Sequence, residues 1–207
     1  MSIEIENTLI PKVRLENLSI KDMTFEKNED AIIRENGVLF MEKKFTNDNC
    51  APLIKSIICY NLMPQNKQPL FITLYINSIG GDLNSCFNLI DIIKKSRIPV
   101  HTFGLGSICS AGACLFMAGE KGHRYLSENC EVMTHQYWCG TRGKEHELEA
   151  ANKRFKIIKE KSLKHYIKCT GKSAAYVKKN LLPASDVWMT PKQAVKHGIA
   201  DKIIDIY

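Results

Sequence analysis

The chain reads as an α/β protein, and three observations say so. Short, nearly continuous apolar runs of strand length, such as Leu70 to Ile76, recur along it. Segments with apolar residues every three or four positions lie between them, as at Leu83, Phe87, Ile90 and Ile93. Glycine and proline punctuate the joins, at Gly37, Pro64, Gly80-Gly81, Gly171 and Pro183. Alternation of this kind argues strands and helices in one core.

The elements follow in order. The first 36 residues are polar and weakly periodic, and read as an extended arm; residues 37–207 form the domain proper. Val38 to Met41 is a strand. Asn49 to Leu62 has helical spacing in Leu53, Ile54, Ile57 and Ile58, and Pro64 ends it. Leu70 to Ile76 is a buried strand, and Asp82 to Lys95 a helix. Pro99 to Leu105 is a strand, and Ser110 to Ala118 a buried helix of small and apolar residues. Arg124 to Leu126 and Glu131 to Met133 are short strands, with a loop at Thr141 to Gly143. Lys144 to Lys168 is one long helix with Leu148, Ala151, Phe155 and Ile158 on a stripe, stopped at Gly171. Ser173 to Leu181 is a shorter helix. Pro191 opens another that runs to His197, and Ile203-Ile204 closes the chain as a strand.

Composition bounds the function classes. The 207 residues suit one domain, and 44% hydrophobic with 25% charged residues is ordinary for a globular protein. No apolar run reaches the roughly 18 residues of a membrane span, and the start carries no signal-peptide core, so a cytoplasmic protein is expected. The net charge of +7 is spread as lysines beside glutamates, as in Lys159-Glu160-Lys161, with no basic block interleaved with aromatics. Nucleic acid is therefore not an expected partner. The eight cysteines form no Cys-x-x-Cys pair and sit mostly in apolar context, which predicts reduced, mostly buried thiols and no metal site.

Three fragments carry chemistry. Ser110 lies in Ser107-Ile108-Cys109-Ser110-Ala111-Gly112-Ala113, after a strand and at the head of an apolar helix. A serine there serves equally as an N-cap or as a nucleophile whose negative charge the helix amides favour. Ile108 replaces the first glycine of a Gly-x-Ser-x-Gly elbow. His135, 25 residues on, ends the strand segment Val132-Met133-Thr134, and is either structural or a general base. Gly80-Gly81 follow a buried strand, as a tight turn or as backbone that aims an N–H at a ligand. The amides of Gly81 and Ala111 would then form an oxyanion hole. Asp186, in a loop beside apolar residues, is the candidate carboxylate to orient His135 from a buried position, or else it caps a turn; Asp201 and Asp205 are rivals beside the last strand. His101, His123, His146, His165 and His197 have no comparable setting and read as surface or core residues.

Together these fragments resemble the Clp proteolytic subunit, a serine peptidase that forms the barrel of an ATP-dependent protease. The likeness runs from about Gly37 to Ile206. The family's Tyr-Ile-Asn-Ser-Pro-Gly-Gly matches Tyr75 to Gly81, with Ile79 for proline. Its Ala-Ser-Met-Gly-Ala matches Cys109 to Ala113, and Val-Met-Ile-His-Gln-Pro matches Val132 to Tyr137. Its Asp followed by an aromatic two residues on matches Asp186 and Trp188, and its closing segment resembles Ala194 to Asp201.

The resemblance implies a Clp/crotonase-like α/β fold of stacked ββα units with a long handle helix, here Lys144 to Lys168. It implies a serine endopeptidase that cleaves unfolded proteins and peptides, with Ser110, His135 and Asp186 catalytic and Gly81 and Ala111 as the oxyanion hole. It also implies homo-oligomeric heptameric rings, single or stacked in pairs as a double-ring tetradecamer, and an AAA+ unfoldase that spends the ATP, the subunit itself holding no cofactor. There are departures. Ala184-Ser185 stand where an Asp-Arg pair is common, two extra residues precede Asp186, and Thr73 and Lys95 replace aromatics of the unfoldase-docking cleft. The alternatives are a catalytically silent subunit of a Clp-like ring and a crotonase-type acyl-CoA enzyme.

Overall fold

A computed structural model describes residues 31–204. The expected N-terminal arm lies outside the described residues up to position 30, and residues 31–35 are helical. Five parallel strands make the main sheet, in the order β1 (Val38–Met41), β2 (Ile72–Ser78), β3 (Val100–Cys109), β4 (Arg124–Ser127) and β7 (Lys202–Ile204). β5 (Glu131–Thr134) adds to the far end of β3 in parallel, and β6 (Val187–Met189) pairs with β5 antiparallel. Ile72, Leu74 and Ile76 of β2 are wholly buried, as their near-continuous apolar run requires.

The helices cover this sheet. α1 (Asn47–Leu62) begins at Thr46, whose side chain accepts from the Asn49 N–H. α2 (Leu83–Lys95) begins at Asp82, whose carboxylate accepts from the Ser85 N–H at 2.7 Å, and it buries Phe87, Leu89, Ile90 and Ile93. α3 (Ala111–Met117) is buried at every residue. α4 (Glu145–Thr170) is stopped by Gly171 at φ 70°, α5 (Ala174–Asn180) is capped by Ser173, and α6 (Pro191–His197) starts at a proline.

Two differences from the sequence expectation matter for the site. The strand expected to stop at Leu105 continues to Cys109. Gly106, at φ 60°, lets β3 turn without ending, while its register against β2 shifts between Ile76 and Ser78. β3 therefore pairs with β4 over Thr102–Gly104 and with β5 over Ser107–Cys109. The segment read as a loop around Asp186 contains β6, a three-residue strand too short to show a period.

Asp201, one of the rival carboxylates, is committed elsewhere. Its oxygens accept from Arg124 Nη2 at 2.6 Å, Arg124 Nε at 2.8 Å and the Gly122 and Arg124 amides, while Arg124 Nη1 donates to the Cys169 carbonyl. The network ties β4, β7 and the end of α4 together. Burial pushes the Asp201 carboxyl up, but the hydrogen bonds and charge of Arg124 and the two amides outweigh this and hold it below its ordinary value. Asp205 lies outside the described residues.

Arg124 is only 3% exposed, so removing one partner strands a buried charge. Asp201→Asn should lower unfolding free energy by about 3 kcal/mol in urea titrations. Because the folded value is depressed, the carboxylate's stabilisation is present above its unfolded pKa. It is lost as pH falls through the lower folded value, so the wild-type protein should lose more stability than the variant below about pH 4.

Candidate active site

Ser110 occupies the junction of β3 and α3 at φ 55° and ψ −116°, the one non-glycine residue at positive φ among the described residues. Its N–H donates to the Met133 carbonyl at 2.8 Å, and its carbonyl accepts from the Cys114 N–H, so both sides of the strained residue are held. The side chain does not cap the helix. Its Oγ lies 2.8 Å from His135 Nε2. This is a tight strand-to-helix turn of the elbow kind, reached without the elbow's first glycine. The space comes from other glycines: a Cβ on Gly80 would lie 2.8 Å from Ser110 Cβ, and one on Gly112 would lie 2.7 Å from the Ser78 carbonyl oxygen.

His135 comes to Ser110 because β5 is the neighbour of β3's last three residues. Asp186 comes to His135 because β6 runs antiparallel to β5. Thr134 pairs with Val187, so His135 and Asp186 are the next residues in register. Asp186 Oδ1 lies 3.5 Å from His135 Nδ1. A carboxylate there favours the proton on Nδ1, which leaves Nε2 free to accept from Ser110. The sequence expectation of a buried acceptor is not met, since the Asp186 side chain is 57% exposed. β6 lies at the outer edge of the sheet, with no strand beyond it among the described residues, and Asp186 precedes it there.

The glycine turn faces the same point. Phe45 N–H donates to the Gly80 carbonyl and Asp82 N–H donates to the Phe45 carbonyl, a parallel bridge of Phe45 with Gly81. That pattern turns the Gly81 N–H away from Phe45. Gly81, at φ 146°, has no room for a side chain, because a Cβ would meet the Phe45 nitrogen at 2.6 Å. Ser78 fixes the turn from beneath, donating to the Lys43 carbonyl at 2.7 Å and accepting from the Gly80 N–H at 3.2 Å. Sequence reasoning missed this role; the signal was a small hydroxyl side chain at the end of the strand, two residues before Gly80.

Also missed is a cavity of about 400 Å³ that opens at Ser110 and His135. Leu83, Cys114, Leu163, Tyr166 and Leu182 supply its apolar wall. Burial pushes the Cys114 thiol up to about 12, so it stays protonated. The stripe read on α4 belongs to its first half, where Leu148 and Ile157 are exposed and no residue is buried; the buried positions are Ser162, Tyr166, Cys169 and Thr170. Of the other histidines, His165 donates from Nε2 to the Cys114 carbonyl at 2.8 Å, so Nε2 carries the proton, and burial lowers its pKa to about 4. His101 is likewise lowered to about 4, by burial and then by His123 stacked 4.1 Å away. All eight cysteines are free, six of them buried.

The family comparison agrees with this architecture. The model of the Clp protease family matches residues 22–206, and the chain belongs to that family. The parallel-stranded α/β fold is accordingly of the Clp/crotonase type. Membership supports a Clp-type peptidase, a hydrolase of peptide bonds, and implies in general an oligomeric assembly that works with an unfoldase. No helix among the described residues is long and apolar enough to cross a membrane.

Gly80 and Gly122 both have strongly positive φ, 103° and 92°, but only Gly80 is crowded. Gly80→Ala should therefore cost at least about 1 kcal/mol more than Gly122→Ala, which carries the backbone strain alone. Denaturant unfolding of the two variants checks this.

Proposed function

We propose that the protein is an ATP-dependent Clp-type serine endopeptidase, with Ser110 as nucleophile, His135 as general base and acid, and Asp186 orienting His135. The observation that carries the reading is the 2.8 Å contact of Ser110 Oγ with His135 Nε2, at a serine held in a strained turn. Ser110 Oγ adds to the peptide carbonyl carbon, and its proton passes to His135 Nε2. The oxyanion accepts from the Gly81 and Ala111 amides, neither of which has an acceptor among the described residues. Collapse breaks the C–N bond, and the leaving amine takes the proton from His135. Water then hydrolyses the ester by the same sequence and restores Ser110.

The subunit's own groups supply this chemistry without a cofactor. ATP would be spent by an AAA+ unfoldase that delivers unfolded chains to sites enclosed in a cytoplasmic homo-oligomer, as heptameric rings, single or stacked as a tetradecamer. A silent subunit of such a ring is the second reading. The observation favouring it is Asp186, whose 3.5 Å approach and exposure leave His135 less firmly oriented.

A fluorophosphonate reagent read by intact mass separates the two. The expected result is one adduct, lost in Ser110→Ala and in His135→Ala, with peptide hydrolysis lowered at least about a thousandfold in each. Asp186→Asn should cost less than either, because solvent already screens the exposed carboxylate. No adduct on folded, oligomeric wild-type protein would establish the silent subunit.

A further inference from the structure

The cavity beside Ser110 contains one polar group that the proposed chemistry does not use. Ser162 lies on α4 with Lys159, Leu163 and Tyr166, the i, i+3, i+4, i+7 set that turns one helical stripe to the cavity. It is 8% exposed, and its Oγ is the one buried side-chain oxygen or nitrogen without a hydrogen-bond partner among the described residues. A serine inside a helix ordinarily returns its hydroxyl to the carbonyl four residues back. Thr170 on the same helix does so, donating to the Tyr166 carbonyl at 2.7 Å, and Ser162 does not.

Apart from the exposed thiol of Cys139, the other uncharged polar side chains of the wall make contacts. Ser110 contacts His135, the Tyr166 hydroxyl pairs with the Cys114 thiol, Gln136 donates to the Leu182 carbonyl, and Tyr137 donates to the Phe155 carbonyl. The charged lining residues are Lys159 and Lys178, both exposed, and no carboxylate lines the cavity. The wall therefore offers one buried, unpaired hydroxyl and two exposed cations. A ligand with a polar tip pairs this hydroxyl, which is otherwise unfavourable, and the two lysine charges at the rim favour an acceptor at that tip over a donor. The apolar remainder of the wall disfavours a full charge at that depth.

We propose that Ser162 determines substrate choice in this cavity, donating its hydroxyl to a neutral acceptor at the tip of the substrate side chain next to the cleaved bond. Glutamine, with a side-chain carbonyl on an apolar stem, has this chemistry, and leucine presents an apolar tip in its place. The inference rests on the peptidase reading, because the cavity receives that side chain only if Ser110 is where the bond is cut. It goes further in naming the side chain and the residue that selects it.

The test separates binding from catalysis. N-acetyl tripeptides that differ only in ending with glutamine or leucine mimic the acyl-side product, and their affinities are measured by calorimetry on oligomeric Ser110→Ala protein, where no turnover is needed. The expected result is a preference for the glutamine peptide of about three- to tenfold, the range of one neutral hydrogen bond. Adding Ser162→Ala should bring the ratio close to one, through loss of affinity for the glutamine peptide. Ala is a better helix former than Ser, so a failure to fold is not expected, and circular dichroism checks it. A leucine preference, a ratio unmoved by Ser162→Ala, or no binding of either peptide overturns the proposal. Failure of the peptidase reading shows separately, as the absence of a Ser110 adduct on wild-type protein.

Discussion

The site depends on one backbone constraint, the positive φ of Ser110. A serine does not adopt φ 55° unless its surroundings leave no alternative, at a cost on the order of 1–3 kcal/mol. Here the surroundings are specific. β3 leaves β4 at Gly104 and joins β5 at Ser107, which places the Met133 carbonyl to receive the Ser110 N–H. The buried helix α3 begins at the next residue, so the chain must turn from strand to helix within one position. The turn closes only because Gly80 and Gly112 present no side chains to it. The Ser110–His135 contact is thus a consequence of strand exchange and glycine packing rather than of any bond the two side chains could enforce.

α4 joins that constraint to the cavity. Its last three turns bury Ser162, Tyr166, Cys169 and Thr170 and meet the Arg124–Asp201 network through the Cys169 carbonyl. Its first half stands clear of the core, with Ile157 and Leu148 exposed among many charges. One helix therefore does two things. Its C-terminal half shapes the wall next to Ser110, and its N-terminal half presents apolar side chains that nothing among the described residues covers, in keeping with the oligomeric assembly that family membership implies.

Much of this was legible in the sequence, for physical reasons that differ by element. β1 and the helices α2 and α6 were read nearly to the residue, because Asp82 and Pro191 are strong helix-start signals and Val38 to Met41 is uniformly apolar. The end of β3 was not legible. Gly104 and Gly106 look like strand terminators in one dimension, and only the sheet shows that they permit a change of partner. β6 was hidden because three residues carry no period. The geometry around Ser110 and His135 agrees with the spacing of the motifs. The strained turn was obscured, however, since Ile108 removes the elbow's first glycine and the compensating glycines lie in sequence at Gly80 and after the serine at Gly112. The cavity was invisible for a different reason: it is assembled from α2, α3, α4 and the segment after β5, and no single periodicity describes it.

Asp186 shows what the register of a sheet can and cannot supply. Antiparallel pairing of β5 with β6 brings Asp186 opposite His135 without any need for burial, and the neighbouring chain is secured by Thr134, which donates to the Leu181 carbonyl at 2.7 Å, and by Gln136, which donates to that of Leu182. Position is therefore fixed by backbone-directed bonds on both sides. Field strength is not. A carboxylate more than half exposed acts through a high dielectric, and at 3.5 Å it exceeds the usual length of a charge-assisted hydrogen bond. In the proposed mechanism, then, His135 owes its placement to the sheet and only a modest part of its polarisation to Asp186. The same mechanism would draw its strongest electrostatic help from the amides of Gly81 and Ala111, whose backbone the strained turn and the glycine pair hold in place before a substrate arrives.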